Sequence, residues 1–256
     1  MATAKTPIWS YSKLNTYENC PRKFYYDYVL HLEKKWLKDP GNAGVLGSYM
    51  GNSMYMSAKE ARKKYYSGGI PMITEESCCW EQVIAEYASR MKEHIPEGGS
   101  FEVEVLKEWG QGHNKRKFVG YIDWMHPNKE SIIDFKLSSG TDRFAKSLQL
   151  PLYEYASGIT SGYYLIMKSN PPNWKLKTWD ERADDLISKI EDPTIISPEI
   201  DPIDAWGIFT DSADNAEDMI YLAETPDEGL TLFPKCKENG KWLCNYCDHT
   251  EICKKQ

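Results

Sequence analysis

The sequence predicts a mixed α/β chain of α+β character, on three observations. Helical spacing dominates the first hundred residues. Three stretches of alternating pattern follow between 100 and 139, and a cysteine-rich tail closes the chain. The order is helices, then a small mixed sheet flanked by helices, then the tail. That order suits one domain over 1–256 better than two independent ones. Its parts are a helical N-terminal part over 8–95, a sheet and helix over 100–170, and a cysteine cluster over 236–256. A chain of 256 residues can bury a full core.

The elements follow in order. Residues 8–38 read as helical: Ser10 or Ser12 can cap a helix through Leu14 and Tyr17. Pro21 suits the first turn of a second helix, with Phe24, Tyr25, Tyr28 and Leu32 at helical spacing. "KDPGNAGVLGSYMGNS" reads as a Gly-rich loop into a helix over about 50–66, and "SGGIPMITEES" as another loop. A helix over about 76–93 carries Trp80, Val83, Ile84 and Tyr87 on one side. "SFEVEVLKEW", "KFVGYIDWM" and "SIIDFKLSS" are strands, the last two joined by "HPNKE". "DRFAKSLQLPLYEYASG" is helical, with Pro151 marking a kink or a late start. "SGYYLIMKS" is a further strand and 179–191 a polar helix. The stretch 192–218 reads as loop, with a short helix near 214–224.

Composition narrows the function classes. Net charge is −7, which argues against coating nucleic acid by bulk charge but leaves room for a local basic groove. No apolar run is long enough to span a membrane, and the N-terminus lacks a signal-peptide pattern. A cytoplasmic, reducing location is therefore expected, in which seven cysteines are core thiols or metal ligands rather than disulfides.

The chemistry concentrates in "GYIDWMHPNKESIIDFKLS". With a two-residue turn at Asn128-Lys129, Asp123 and Asp134 stand directly opposed on strands about 4.8 Å apart. Opposed like charges destabilise a strand pair, so the hairpin needs a cation between them, and hard Mg²⁺ or Mn²⁺ suits carboxylate oxygens. Lys136 shares the face of Asp134, while Ile133, Phe135 and Leu137 take the other. Two acids and a lysine form a minimal set for metal-dependent phosphodiester hydrolysis. Glu102 and Glu104 share a face of the preceding strand, and Glu104 is the preferred additional group. The same pattern also fits an exposed hairpin with a charged wet face.

The tail has its own spacing. Cys236, Cys244, Cys247 and Cys253 would make a local four-cysteine Zn²⁺ site, with His249 a further candidate ligand and Cys20 then a buried thiol. Arg22 and Lys23 read either as phosphate contacts or as a solvated helix start. Phe24 to Tyr28 read as a base-stacking stripe or, more simply, as helix core.

These motifs together resemble one family. "GYID…IIDFK" resembles the Asp…(Asp/Glu)-X-Lys core of the PD-(D/E)XK nuclease superfamily, with its restriction-endonuclease-like fold. "QLPLY" is similar to the Gln-X-X-X-Tyr motif of the RecB-like branch, and "SYSKLNTYENCPRKFYYDYVL" to that branch's N-terminal helix. Cys244-X2-Cys247-X5-Cys253 resembles the closing cluster of its iron–sulfur exonucleases. The resemblance spans about 9–253. It implies that Asp123, Asp134 and the Phe135 carbonyl bind metal and that Lys136 assists the attacking water. It implies that Gln149 and Tyr153 touch DNA or orient the site. It also implies that Cys20, Cys244, Cys247 and Cys253 hold a [4Fe–4S] cluster. The family usually carries a histidine on the early helix. This sequence has none there: Gly51 or Tyr55 falls near the place, and Glu60 or water is left to substitute.

The expected function is a metal-dependent DNA nuclease, an exonuclease on single strands or ends serving recombination, repair or DNA processing. Its partner is DNA, with a helicase, an integrase or a second copy as possible protein partners. The alternatives are a non-catalytic nucleic-acid-binding or assembly protein on a decayed nuclease fold, and a zinc-bearing adaptor.

Overall fold

The computed structural model describes residues 6–32, 42–67, 73–236, 244 and 247–255, without the side chains of Ala43, His113 and Lys255. The expectations for 33–41, 68–72 and most of the tail lie outside the described residues. Among the described residues a six-stranded mixed sheet runs β1-β3-β4-β5-β6, with β2 on the other edge of β3. The strands are β1 (Ile8–Trp9), β2 (Ser100–Trp109), β3 (Arg116–Met125), β4 (Ile132–Ser138), β5 (Gly162–Lys168) and β6 (Thr194–Ile196). The pair β2–β3 is antiparallel over nearly its whole length, β3–β4 antiparallel, β4–β5 parallel and β5–β6 antiparallel.

Two helical layers cover the sheet. On one face lie α1 (Tyr11–Asn19), α2 (Pro21–Phe24), α7 (Gln149–Ser157), α9 (Pro202–Leu222) and α10 (Pro226–Leu232). They share a core containing Trp9, Phe24, Phe118, Leu150, Tyr153, Phe209 and Phe233. The other layer holds α3 (Ala43–Tyr55), α4 (Ala58–Ser67), α5 (Glu75–Lys92) and α8 (Trp179–Ser188). Its core joins Met50, Val83, Ile84, Ile133 and Leu165. Both faces of β4 and β5 are therefore buried, which explains their near-continuous apolar reading. Each fully buried aliphatic side chain there contributes about 1.5–3 kcal/mol.

Local chemistry accounts for the boundaries. Ser10 Oγ accepts the Lys13 N–H and starts α1. Cys20 ends α1 and caps α2, so it sits at the helix junction. Pro21 occupies the first turn of α2, and a π-helical turn over Tyr25–Val29 continues it. The Gly-rich stretch is more helical than expected: Asn42 caps α3, which ends at Tyr55, and α4 starts separately. Pro151 lies in the first turn of α7, where its missing N–H costs no helical bond, so it marks a late start after the short α6 (Asp142–Ala145). Gly158 closes α7 at φ 75°. Strands β1 and β6 are additions to the expected sheet. The expected loop over 192–218 is largely α9, capped by Asp201 with Pro202 in its first turn.

Candidate active site

The β3–β4 hairpin keeps the expected register on a longer loop. Trp124 pairs with Ile133 and Met125 with Ile132. The His126 N–H donates to the Ser131 carbonyl at 3.0 Å. The turn is therefore a four-residue loop centred on the same point as the two-residue turn expected, with Lys129 at φ 57°. Beyond the Trp124–Ile133 pair the strands part. There Asp123 Oδ2 accepts the Phe135 N–H at 2.6 Å, so a carboxylate fills the place of a ladder carbonyl.

Asp134 is 1% exposed, and its carboxylate is ion-paired to Lys136 Nζ, whose side chain is 23% exposed. Gln149 Nε2 donates to Asp134 Oδ1 at 2.9 Å and to the Tyr153 hydroxyl at 3.1 Å. Both contacts arise at the start of α7, where residues four apart share a face. Tyr153 packs over Gly120, where any Cβ would meet its ring at 2.5 Å, so glycine is needed there. Gln149 thus binds one oxygen of Asp134, and Tyr153 binds Gln149.

Three carboxyl and amine groups share one buried space, and their proton affinities reflect it. Burial first, then the Asp134 carboxylate, push Asp123 up to about 8, against the pull of Lys136 and the Phe135 N–H. Burial also raises Asp134, though Lys136 opposes it. Burial alone would lower Lys136, but Asp134 and Asp123 overcome it and hold Lys136 above its ordinary value. Two carboxylates facing one ammonium retain a proton, and a divalent cation is the chemical alternative to that proton.

Asp123, Phe135 and Lys136 open onto a cavity of about 480 Å³, lined on its far side by Gly47, Gly51 and Asn52 of α3 and by Lys64 of α4. Lys64 Nζ donates to Asn52 Oδ1 at 2.7 Å, and the Tyr55 hydroxyl donates to the same oxygen at 3.1 Å. Among the described residues no three His, Cys, Asp or Glu side chains form a ready metal-holding group. Mg²⁺ commonly takes one or two carboxylates and completes its shell with waters and substrate phosphates, so the donor set of Asp123, Asp134 and the Phe135 carbonyl fits it.

Several expected residues are placed elsewhere. Glu104 accepts from the Tyr121 hydroxyl at 2.9 Å and does not line the cavity; Glu102 does, at φ 53° within β2. Glu60 accepts from the backbone and side chain of Ser57 at the start of α4, so it is a helix-cap partner and no stand-in for the missing histidine. Arg22 is buried. Its Nε donates to the Phe233 carbonyl at 2.7 Å and its Nη2 to the Leu230 carbonyl, so it closes the end of α10 instead of meeting phosphate. Phe24, Tyr25 and Tyr26 are core: Tyr25 stacks on Phe233 at 4.9 Å and Phe24 on Trp9 at 5.5 Å.

The cysteines gather at a second place. Cys20, Cys236, Cys244, Cys247 and Cys253 line one cavity of about 210 Å³ with Arg22, Lys23 and Lys235. Cys236 Sγ lies 3.5 Å from Cys244 Sγ. Burial, then Cys244 and Cys20, push the Cys236 thiol up to about 12; burial also raises Cys247 and Cys253. The sulfurs share their walls with Arg22, Lys23 and Lys235, and among the described residues they form no ready metal-holding group. His249 is buried beside them, its Nε2 2.7 Å from Asp27 Oδ1.

A family model described as the PD-(D/E)XK nuclease superfamily matches residues 8–254. No curated protein matches the chain. Among solved structures, the one described as "Crystal structure of SSO0001" is 15% identical, with a TM-score of 0.47, over 98% of this chain and 88% of that one.

Proposed function

The chain belongs to the PD-(D/E)XK nuclease superfamily, and we propose that it is a DNA exonuclease acting on single strands or ends, in recombination, repair or DNA processing. One observation carries the reading. Asp123 and Asp134 meet where β3 and β4 part, with Lys136 beside them and a cavity in front. A bound Mg²⁺ or Mn²⁺ would supply Lewis-acid polarisation of the phosphate and an activated water. Asp123, Asp134 and the Phe135 carbonyl would hold it. Lys136 presents its ammonium at the cavity, where it offsets negative charge developing on the phosphate. Gln149 fixes the rotation of the Asp134 carboxylate, with Tyr153 bracing the amide.

The cysteine cavity is read as a [4Fe–4S] site held by Cys20, Cys244, Cys247 and Cys253. The reading rests on Cys20 lying in the same cavity wall as Cys244, Cys247 and Cys253. The site ties the α1–α2 junction to the C-terminal α11 (Thr250–Lys255). Cys236 is left over in this assignment.

The test is cleavage of 5′- and 3′-end-labelled single-stranded DNA with Mn²⁺, comparing wild type with Asp134→Ala. Cleavage by wild type alone is expected, and the product ladder gives the polarity. No cleavage by either, with the iron content intact, would replace the catalytic reading with a binding protein.

A further inference from the structure

Resting on the nuclease reading above, we propose that Asn52 and Lys64 together bind a backbone phosphate of the DNA strand, next to the one cleaved, with Tyr55 holding Asn52 in place. Both residues line the cavity in front of the acids, on the wall that α3 and α4 supply. Helix α4 carries Arg62, Lys63 and Lys64 in a row. Arg62 is tied to Glu81 at 3.0 Å. Lys64 is exposed, yet its tip turns in to α3, where Nζ donates to the neutral Asn52 Oδ1 at 2.7 Å. Among the described residues no ion pair joins Lys64 to a carboxylate, Glu102 of the same cavity included. Across the cavity, the Lys136 ammonium is committed to Asp134. Lys64 thus brings to the cavity a positive charge that no acid of the described residues answers.

Asn52 is left half satisfied. It is 8% exposed, and its Oδ1 accepts from both Lys64 and the Tyr55 hydroxyl, the latter at 3.1 Å. Two donors on one atom identify that atom as the oxygen and leave the NH₂ as the other end of the amide. That NH₂ has no acceptor among the described residues. Buried polar groups are normally hydrogen-bonded, so a leftover donor beside a cavity calls for an acceptor that enters it. Water would serve a lone amide. An ammonium one bond away, without a counter-charge, selects an anion. A phosphate oxygen accepts from both, and the amide oxygen keeps the two donors together. At Gly51 an added Cβ would meet nothing within 4 Å, so the cavity stays open beside the pair. A strand whose scissile phosphate lies by Asp123 and Lys136 can rest a neighbouring phosphate on this wall. Tyr55 acts only through Asn52 and is a positioning residue.

Two measurements on the full chain test this: anisotropy of fluorescein-labelled single-stranded DNA in chelator over a KCl series, and KM against kcat for cleavage with Mn²⁺. Lys64→Gln is expected to weaken binding at least about fivefold, to lower the salt slope by about one, and to raise KM by more than it lowers kcat. Lys64→Arg should keep the slope. Asn52→Asp is the sharper variant, because it exchanges the NH₂ for a carboxylate oxygen that can pair with Lys64. A purely structural role predicts a retained or higher melting temperature and unchanged DNA binding. The phosphate role predicts that melting temperature with binding at least about tenfold weaker, since the phosphate then meets a like charge. Tyr55→Phe should weaken binding by less, in the same direction. Wild-type affinity, slope and KM in both Lys64→Gln and Asn52→Asp, where the wild type cleaves, would overturn the pair and leave the nuclease site standing. A wild-type chain that neither binds single-stranded DNA in chelator nor cleaves it with Mn²⁺ would overturn the nuclease reading itself and this proposal with it.

Discussion

The acid pocket and the cysteine cavity are assembled in opposite ways. The pocket is set by backbone register: Asp123 and Asp134 fall opposite each other because Trp124 pairs with Ile133, and Gln149 sits one element away at the start of α7. Its scaffold is a sheet packed on both faces, and its buried carboxylates burden that scaffold. The cavity draws Cys20 from a helix junction and Cys244, Cys247 and Cys253 from a segment more than two hundred residues later. No strand of the described residues links those segments. A site held by a packed sheet can be tuned for chemistry, while a site that joins distant segments contributes to folding.

The largest effects should separate the two. Asp123→Asn is expected to reduce Mn²⁺-dependent cleavage more than about a hundredfold while leaving the metal-free melting temperature equal or higher, because it removes a buried, repelled carboxylate. Cys20→Ser should do the reverse at the level of cause. Iron per chain falls, and the melting temperature drops by more than about 8 °C, since one kcal/mol moves a chain of this size by about 2–4 °C. Cleavage measured on the fraction still folded should persist. A stable, iron-loaded Cys20→Ser protein would break the comparison and return the tail to the local four-cysteine zinc reading.

The next effect is one of pH. Asp123 is raised from its ordinary value of 3.8 to about 8 in the folded, metal-free chain. Between those values the folded state holds a proton that the unfolded chain has released. Stability is therefore greatest at the acid end of this window and is lost as pH rises through about 8. Metal-free melting temperature should fall between pH 5 and pH 9. In Asp123→Asn the slope should flatten. Mn²⁺ affinity should rise over the same range, because the cation displaces that proton. A melting temperature that climbs steadily from pH 5 to 9, read by calorimetry in excess chelator, would show that Asp123 is ionised without metal.

What the sequence could show divides along the same line. Alternation around "HPNKE" was enough to oppose Asp123 and Asp134, because any symmetric loop with that centre keeps the register. The order of strands β2 to β5 and the late start at Pro151 were equally local signals. Strands β1 and β6 are two and three residues long and have no period of their own; their partners make them strands. Helix α9 did carry a signal, with Ala205, Phe209, Ala213 and Ala216 at helical spacing, but acidic residues and small apolar ones hid it. Glu102 could not be told from Glu104, since alternation puts both on one face and only the tertiary setting turns one of them left-handed. Arg22 reads as a phosphate contact or a solvated helix start because the carbonyls it binds lie over two hundred residues away.

Arg22 gives the smallest expected effect and the sharpest separation of the two regions. It lines the cysteine cavity, yet its guanidinium is committed to the Phe233 and Leu230 carbonyls at the end of α10, and its own N–H to the Pro234 carbonyl at 3.0 Å. A lysine would keep the charge and lose the forked geometry that reaches two carbonyls at once. Arg22→Lys should therefore cost about 1–2 kcal/mol, seen as a few degrees of melting temperature. Affinity for single-stranded DNA, measured by anisotropy in chelator so that nothing is cleaved, should stay within about twofold of wild type. A retained melting temperature with markedly weaker and less salt-dependent DNA binding would reverse the assignment, because a phosphate contact weakens binding and lowers the salt slope by about one. The cysteine end of the molecule would then belong to the DNA path, and the division between a chemical pocket and a structural cavity would fail there.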